Sequence, residues 1–310
     1  MCSPAELYEA SPSLASASIA WGTSEAHDAC VTLSHHARNS TMRDPAYSLL
    51  DANVEWFLVL AHPGHELRAY HFLERVRPSV AVMTDGSGAD GTSRVDDSRA
   101  LLERVDGRPS PVFGFMSDRE AYAALMAADP RPFLPLLTTI ADVLVRARVR
   151  VVVIDAAEGY NPVHDICHWI GRSAVGIARQ RGAQIELFEL DLVSPPDGSG
   201  EGVRVVLDDE AFRRKLEAVA SYDTLKAEAE AAFARYGRDA FRTEFLRRVY
   251  DAMPPAASWR PFYEQVGEER VREGRYGSVL RYRAHVRPVI ERLMTRSLVS
   301  DADALYPLHE

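Results

Sequence analysis

A chain of 310 residues, 46% of them hydrophobic, can bury a sizeable core in one large or two small domains. Its net charge of −9 and pI of about 5.6 argue against a nucleic-acid or anionic-membrane partner. No run of about 18 apolar residues marks a transmembrane helix, Met1 to Glu6 has neither the basic residues nor the apolar core of a signal peptide, and Cys2, Cys30 and Cys167 make no disulfide framework. These features set the expectation of a cytoplasmic protein acting on a small molecule, with a homo-oligomer left open.

Residues 1–52 are rich in Ala and Ser without a period and read as an extension. His35 and His36 are adjacent on an irregular segment, where two rings rarely converge on one ion. From residue 54 strands and helices alternate, the sign of a parallel sheet. Val54–Leu60 is an apolar strand, and Ala61-His62-Pro63-Gly64-His65-Glu66 follows at once. Glu66–Arg77 reads as a helix with Leu67, Tyr70 and Leu73 on one face, and His71 as a packing or surface residue within it. Val80–Thr84 is the next strand. The loop Asp85–Thr92, with three Gly and two Asp, suits the border of a substrate pocket.

A helix to about Val105 carries Arg94 and Arg99, which are candidate contacts for an anionic or sugar substrate. Val112–Phe115 reads as a strand, Asp118–Ala128 and Pro132–Arg148 as helices, and Val151–Asp155 as a buried strand. Behind it come Glu158-Gly159-Tyr160-Asn161-Pro162-Val163-His164-Asp165, then Cys167 and His168, a helix Asp165–Arg181, and strands Ile185–Leu190 and Val203–Leu207. Helices are expected at Asp208–Ala220, Thr224–Tyr236, Arg238–Tyr250 and Tyr282–Thr295. The expected fold is therefore α/β: a three-layer Rossmann-like parallel sheet over residues 53–207, with an α-helical C-terminal region, 208–310, that covers the sheet or the active site.

Function is suggested by the two strand ends. Imidazoles at the carboxyl edge of a rigid parallel sheet can converge on a divalent metal and leave a coordination position open. His62 and His65 lie at one such end, His164 and His168 at another. The strand followed by Ala-His-Pro-x-x-Glu, the Thr84-Asp85-Gly86 turn, and the distant Gly159-Tyr160-x-Pro162-x-His164-Asp165 run resemble the LmbE/PIG-L-like N-deacetylases over about residues 53 to 190. The resemblance implies a Rossmann-like, metal-dependent enzyme that removes acyl groups from amino sugars and related conjugates.

The chain departs from the family's Ala-His-Pro-Asp-Asp-Glu motif, in which His and the second Asp bind metal and the first Asp is the general base. Here those two acids are Gly64 and His65, and the second motif, usually His-Pro-Asp-His, reads Asn161-Pro162-Val163-His164. Carried over by position, the ligands are His62, His65 and His164, and the base is missing. Three neutral imidazoles leave the full divalent charge on a metal, which acidifies its water to a pKa of about 7 in three-His zinc sites. The expectation is thus a hydrolase that cleaves an N-acyl group of an amino-sugar-like or secondary-metabolite substrate by metal-bound hydroxide.

Zinc is the first expectation for the metal and iron(II) the second. Asp155 or Asp85 is expected to handle protons, Tyr160 to steady an oxyanion, and Arg94, Arg99, Glu66 and Asn161 to touch substrate. Glu66 has the alternative of orienting an imidazole, and Glu158 and Asp165 are flanking acids. Cys167 reads as a core residue. Two other readings stay open: a three-His non-haem iron(II) enzyme performing oxidative or bond-cleaving chemistry, and a binding protein that kept a metal pocket without turnover.

Overall fold

The computed structural model describes residues 30–34, 54–88, 91–196, 198–250 and 253–298. The rest of the expected extension, including His35 and His36, lies outside the described residues. Strands β1 (Cys30–Ser34), β2 (Trp56–Leu60), β3 (Ser79–Thr84), β4 (Arg108–Met116), β5 (Val151–Asp155), β6 (Glu186–Leu190), β7 (Gly202–Val206) and β8 (Thr243–Arg248) form one sheet. Its order is β1-β7-β8-β6-β5-β2-β3-β4. All pairs are parallel except those that β8 makes with β6 and β7.

Both faces of the sheet are covered, so the central strands are apolar at every position rather than at alternate ones. Phe57, Val59, Ala81, Met83, Val152 and Ile154 point to one core, packed on α4 (Leu134–Arg146), α5 (Pro162–Gln180) and α9 (Arg287–Leu298). Leu58, Leu60, Val80, Val82 and Val153 point to the other, against α1 (Tyr70–Val76), α2 (Val95–Arg104) and α6 (Asp209–Ala220). The result is a three-layer, Rossmann-like α/β fold. Helix α5 lies very close to the sheet because residue 171 is glycine: a Cβ there would stand 2.5 Å from Ile154 Cγ2. Among the described residues no helix is long and apolar enough to cross a membrane.

The chain runs from β2 through β3 to β4 toward one edge, then returns to place β5 and β6 on the other side of β2. The direction of winding therefore reverses between β2 and β5, and crevices of this kind are where open α/β sheets bind ligands. The sequence segments carrying the histidines leave these two neighbouring strands.

The C-terminal half differs from expectation. The helix anticipated over Arg238–Tyr250 is instead a 3-10 turn, Arg238–Arg242, followed by β8. Phe241, Phe245 and Val249 have helical spacing, but long-range pairing decides the conformation. Arg247 bonds Glu189 and Asp191, and Arg248 bonds Glu186, across the sheet. Glu244, 1% exposed, pairs with buried Lys215 at 2.9 Å and accepts from the amides of His71 and Phe72 at the start of α1. The segment after residue 207 thus adds a strand to the sheet: β8 is inserted between β6 and β7. Helices α7 (Lys226–Tyr236) and α8 (Phe262–Arg272) complete the segment. Helix α5 also starts earlier than expected, at Pro162, with Asn161 as N-cap accepting from Val163 N.

Candidate metal centre at the ends of β2 and β5

The chain leaves β2 in a turn held from three sides. Thr84 N donates to Ala61 O, Ala61 N to Asp155 Oδ2, and Gly64 N to Glu66 Oε2. Gly64 has φ of 100°, a conformation that glycine adopts without strain. The turn carries His62 and His65, and the first turn of α5 carries His164. Ring centroids lie 5.2 Å apart for His62 and His65, 5.0 Å for His62 and His164, and 4.7 Å for His65 and His164.

Two of the rings are fixed through Nδ1. His65 Nδ1 lies 2.7 Å from Asp155 Oδ2. His62 Nδ1 lies 2.7 Å from Thr84 Oγ1 and 3.1 Å from Asp118 Oδ1, the latter without the alignment of a hydrogen bond. Burial alone would raise the Asp118 carboxyl. His62, the Thr84 hydroxyl and the Gly88 amide outweigh it and hold the group well below the ordinary carboxylate range. His164 is kept from protonating, first by burial and then by the two neighbouring imidazoles. It has no hydrogen bond among the described residues. The cluster therefore joins three imidazoles to two buried carboxylates, and Asp118 Oδ1 and Asp155 Oδ1 both lack hydrogen-bond partners.

This donor set suits a divalent cation. A metal bonded at about 2.0–2.1 Å to one nitrogen of each ring, in tetrahedral directions, would hold the centroids about 5 Å apart. As they stand, the ligating atoms of no three His, Cys, Asp or Glu side chains among the described residues are in metal-holding geometry. The rings are gathered by the backbone.

Of the other expected site residues, Asp155 and Asn161 touch the rings and the rest have other partners. Asp155 is fully buried behind His65, a place from which it orients the ring rather than reaches a substrate. Asp85 accepts from Ser87 N and Asp118 N and shapes the loop after β3. Glu66 orients no imidazole and is 1% exposed; it ties Gly64 N to Ser98, whose hydroxyl also meets Tyr222. Burial raises its pKa against those hydrogen bonds. Arg94 pairs with Glu228 of α7, and Arg99 lies over the Phe113 ring.

Tyr160 stacks on Phe262 with centroids 5.6 Å apart, and burial raises its phenol while the charge of Arg235 opposes. Asn161 does reach the cluster: its Nδ2 lies 3.5 Å from His62 Nε2. Glu158 accepts from the amides of Leu192, Val193 and Ser194. Asp165 accepts from Gly159 N and is pushed up to about 8, mainly by burial. His168 turns back to the Asp155 carbonyl at 3.0 Å and does not join the three rings. Cys167 lies in the core.

Two participants were not foreseen. Asp118 opens α3 (Asp118–Met126), whose capping box of Ser117 and Glu120 is readable in sequence; its approach to His62 depends on the pairing of β3 with β4. Leu225, just before α7, fills the space above Gly64, where an added Cβ would collide with its Cδ1.

No protein-family model and no curated protein matches the chain. Among solved structures it is similar to the conserved protein TT1542 from Thermus thermophilus, at 18% identity and a TM-score of 0.41, covering 67% of this chain and 99% of that one.

Proposed function

We propose that the chain is a metal-dependent hydrolase that removes an N-acyl group from a small molecule of the amino-sugar or secondary-metabolite class. The observation that supports it most is the gathering of His62, His65 and His164 within 5.2 Å at the reversal point of the sheet, in segments whose motifs resemble those of N-deacetylases. His62, His65 and His164 would hold the metal, zinc first, which supplies Lewis acidity toward an amide carbonyl and toward water. Asp155 keeps the His65 ring oriented. Asn161 offers an amide donor beside His62, with its Oδ1 engaged by Val163 N and the Tyr122 hydroxyl. The Tyr160 hydroxyl makes no hydrogen bond among the described residues and remains a candidate donor to a substrate oxygen.

The apolar closure over Gly64 by Leu225 favours one second reading, a three-His iron(II) centre whose chemistry needs no carboxylate base at that place. Elemental analysis of the purified full chain separates the readings. Zinc near one per chain, lost in His62→Ala, His65→Ala and His164→Ala, with acyl release from an N-acyl panel, supports hydrolysis. Iron with oxygen-dependent turnover supports the second reading. Zinc without acyl release indicates a binding role, and no metal in any preparation overturns the metal centre itself.

A further inference from the structure

The hydrogen-bond directions around the cluster determine which nitrogen of each ring carries the proton. The Thr84 hydroxyl donates to Ala61 O at 3.1 Å. That proton has a second acceptor in the Asp118 carboxylate, and in either direction the oxygen is left to accept at His62 Nδ1, 2.7 Å away. The nearer oxygen of Asp118 stands 3.1 Å away on the same side, without hydrogen-bond alignment. Across the ring, the Asn161 amide has its orientation fixed, because Oδ1 accepts from Val163 N at 2.8 Å and from the Tyr122 hydroxyl at 3.3 Å. Nδ2 therefore faces His62 Nε2, and a donor there calls for a lone pair. At His65, Asp155 Oδ2 accepts from Ala61 N and meets Nδ1 at the same 2.7 Å, the place of a second donor to the same oxygen.

From these contacts we infer that Thr84, Asp118 and Asp155 are positioning residues that hold His62 and His65 as Nδ1–H tautomers and so leave Nε2 of each ring as its lone-pair nitrogen. Neutral imidazole in water prefers the opposite tautomer, so the protein imposes the state that a metal requires before any metal arrives. The ring partner of a ligating histidine does this in known metal sites, and its removal typically weakens binding about 10–100-fold. The consequence for metal affinity rests on the proposed metal centre; the tautomer assignment itself does not.

Long-range proton–nitrogen correlation spectra of the metal-free, nitrogen-15-labelled full chain at about pH 8 report each tautomer directly, with signals assigned by single His replacements. The expected result is Nδ1–H for His62 and His65. Asp155→Ala should move His65 toward Nε2–H and leave His62 unchanged, and Thr84→Val with Asp118→Ala should do the reverse. Zinc affinity by chelator competition should fall about 10–100-fold in either variant. Wild-type rings in the Nε2–H form, or tautomers that ignore these substitutions, overturn the inference. Should Asp155→Ala fail to fold, the near-isosteric Thr84→Val still tests His62. A wild type with the inferred tautomers and no affinity for zinc would overturn the metal centre and leave the tautomer assignment standing.

Discussion

Gly64 is the position where this chain departs most consequentially from the motif it resembles, and its replacement by alanine has a cost that can be worked out. At φ 100° and ψ −17° an L side chain is strained by about 1–3 kcal/mol. The new Cβ would run into Leu225 Cδ1 and stand 3.3 Å from Leu225 Cγ and 3.6 Å from Tyr222 Cζ, an overpacking worth about 1–3 kcal/mol more. Lower entropy of the unfolded chain returns about 0.4–1 kcal/mol. The expected net loss is about 1–6 kcal/mol, large against a typical stability of about 5–15 kcal/mol. Urea denaturation should show it as a lower midpoint at unchanged slope. Leu225→Ala in the Gly64→Ala background should recover the overlap part and not the backbone part, giving a coupling of about 1–3 kcal/mol in a double-mutant cycle. A cost below about 0.5 kcal/mol, or no coupling to Leu225, would refute the reasoning. Gly64→Asp alone should for the same reason yield no gain in deacylation.

Three further outcomes are expected. Truncation after Leu207 removes β8 from between β6 and β7 and should give an aggregating chain; a monomeric, cooperatively unfolding product would show that the C-terminal segment is dispensable to the sheet. Glu244→Gln leaves buried Lys215 without the counter-charge that stands 2.9 Å away and should cost about 3–5 kcal/mol, measured by denaturation, whereas a change under about 1 kcal/mol would show that the amide oxygen, the Arg68 carbonyl or water relieves the charge. Burial lowers His168 from 6.5 to about 3, so the unfolded chain binds the extra proton in that window. Stability from this group is present above about pH 6.5 and falls with pH toward 3, at up to about 1.4 kcal/mol per pH unit; His168→Asn should flatten the profile there, and an unchanged profile would refute it.

The parts of the fold readable in sequence are those whose burial is complete. Val151–Asp155 and the run ending at Leu60 are apolar at nearly every residue because both sheet faces are covered, and the strands fall where that pattern puts them. The start of α5 was also written locally, in Asn161 and Pro162, and His164 belongs to its first turn rather than to a loop. Thr243–Arg248 was not readable, since a strand containing Glu244, Arg247 and Arg248 is stable only through partners on α6, β6 and the loop after it. Asp118 and Leu225 were hidden for the same reason. Each reaches the turn after β2 through tertiary packing, which leaves no mark on local periodicity.

Those hidden partners explain why the two unusual residues of the turn belong together. Gly64 has no side chain, and Leu225 occupies the space that a side chain would take. His65 is an imidazole, and Asp155 stands 2.7 Å behind it. A carboxylate at position 65 would instead face the buried Asp155 carboxylate, and two acids in such proximity cannot both stay ionised without a large rise in one pKa. The acid that the resembled motif places at the second of these positions is here replaced by an imidazole, and the carboxyl groups of Asp155 and Asp118 stand one step back, at 2.7 Å and 3.1 Å from the rings. The substitutions in the turn are thus matched by residues outside it, and the site is a self-consistent arrangement rather than a motif with two acids deleted.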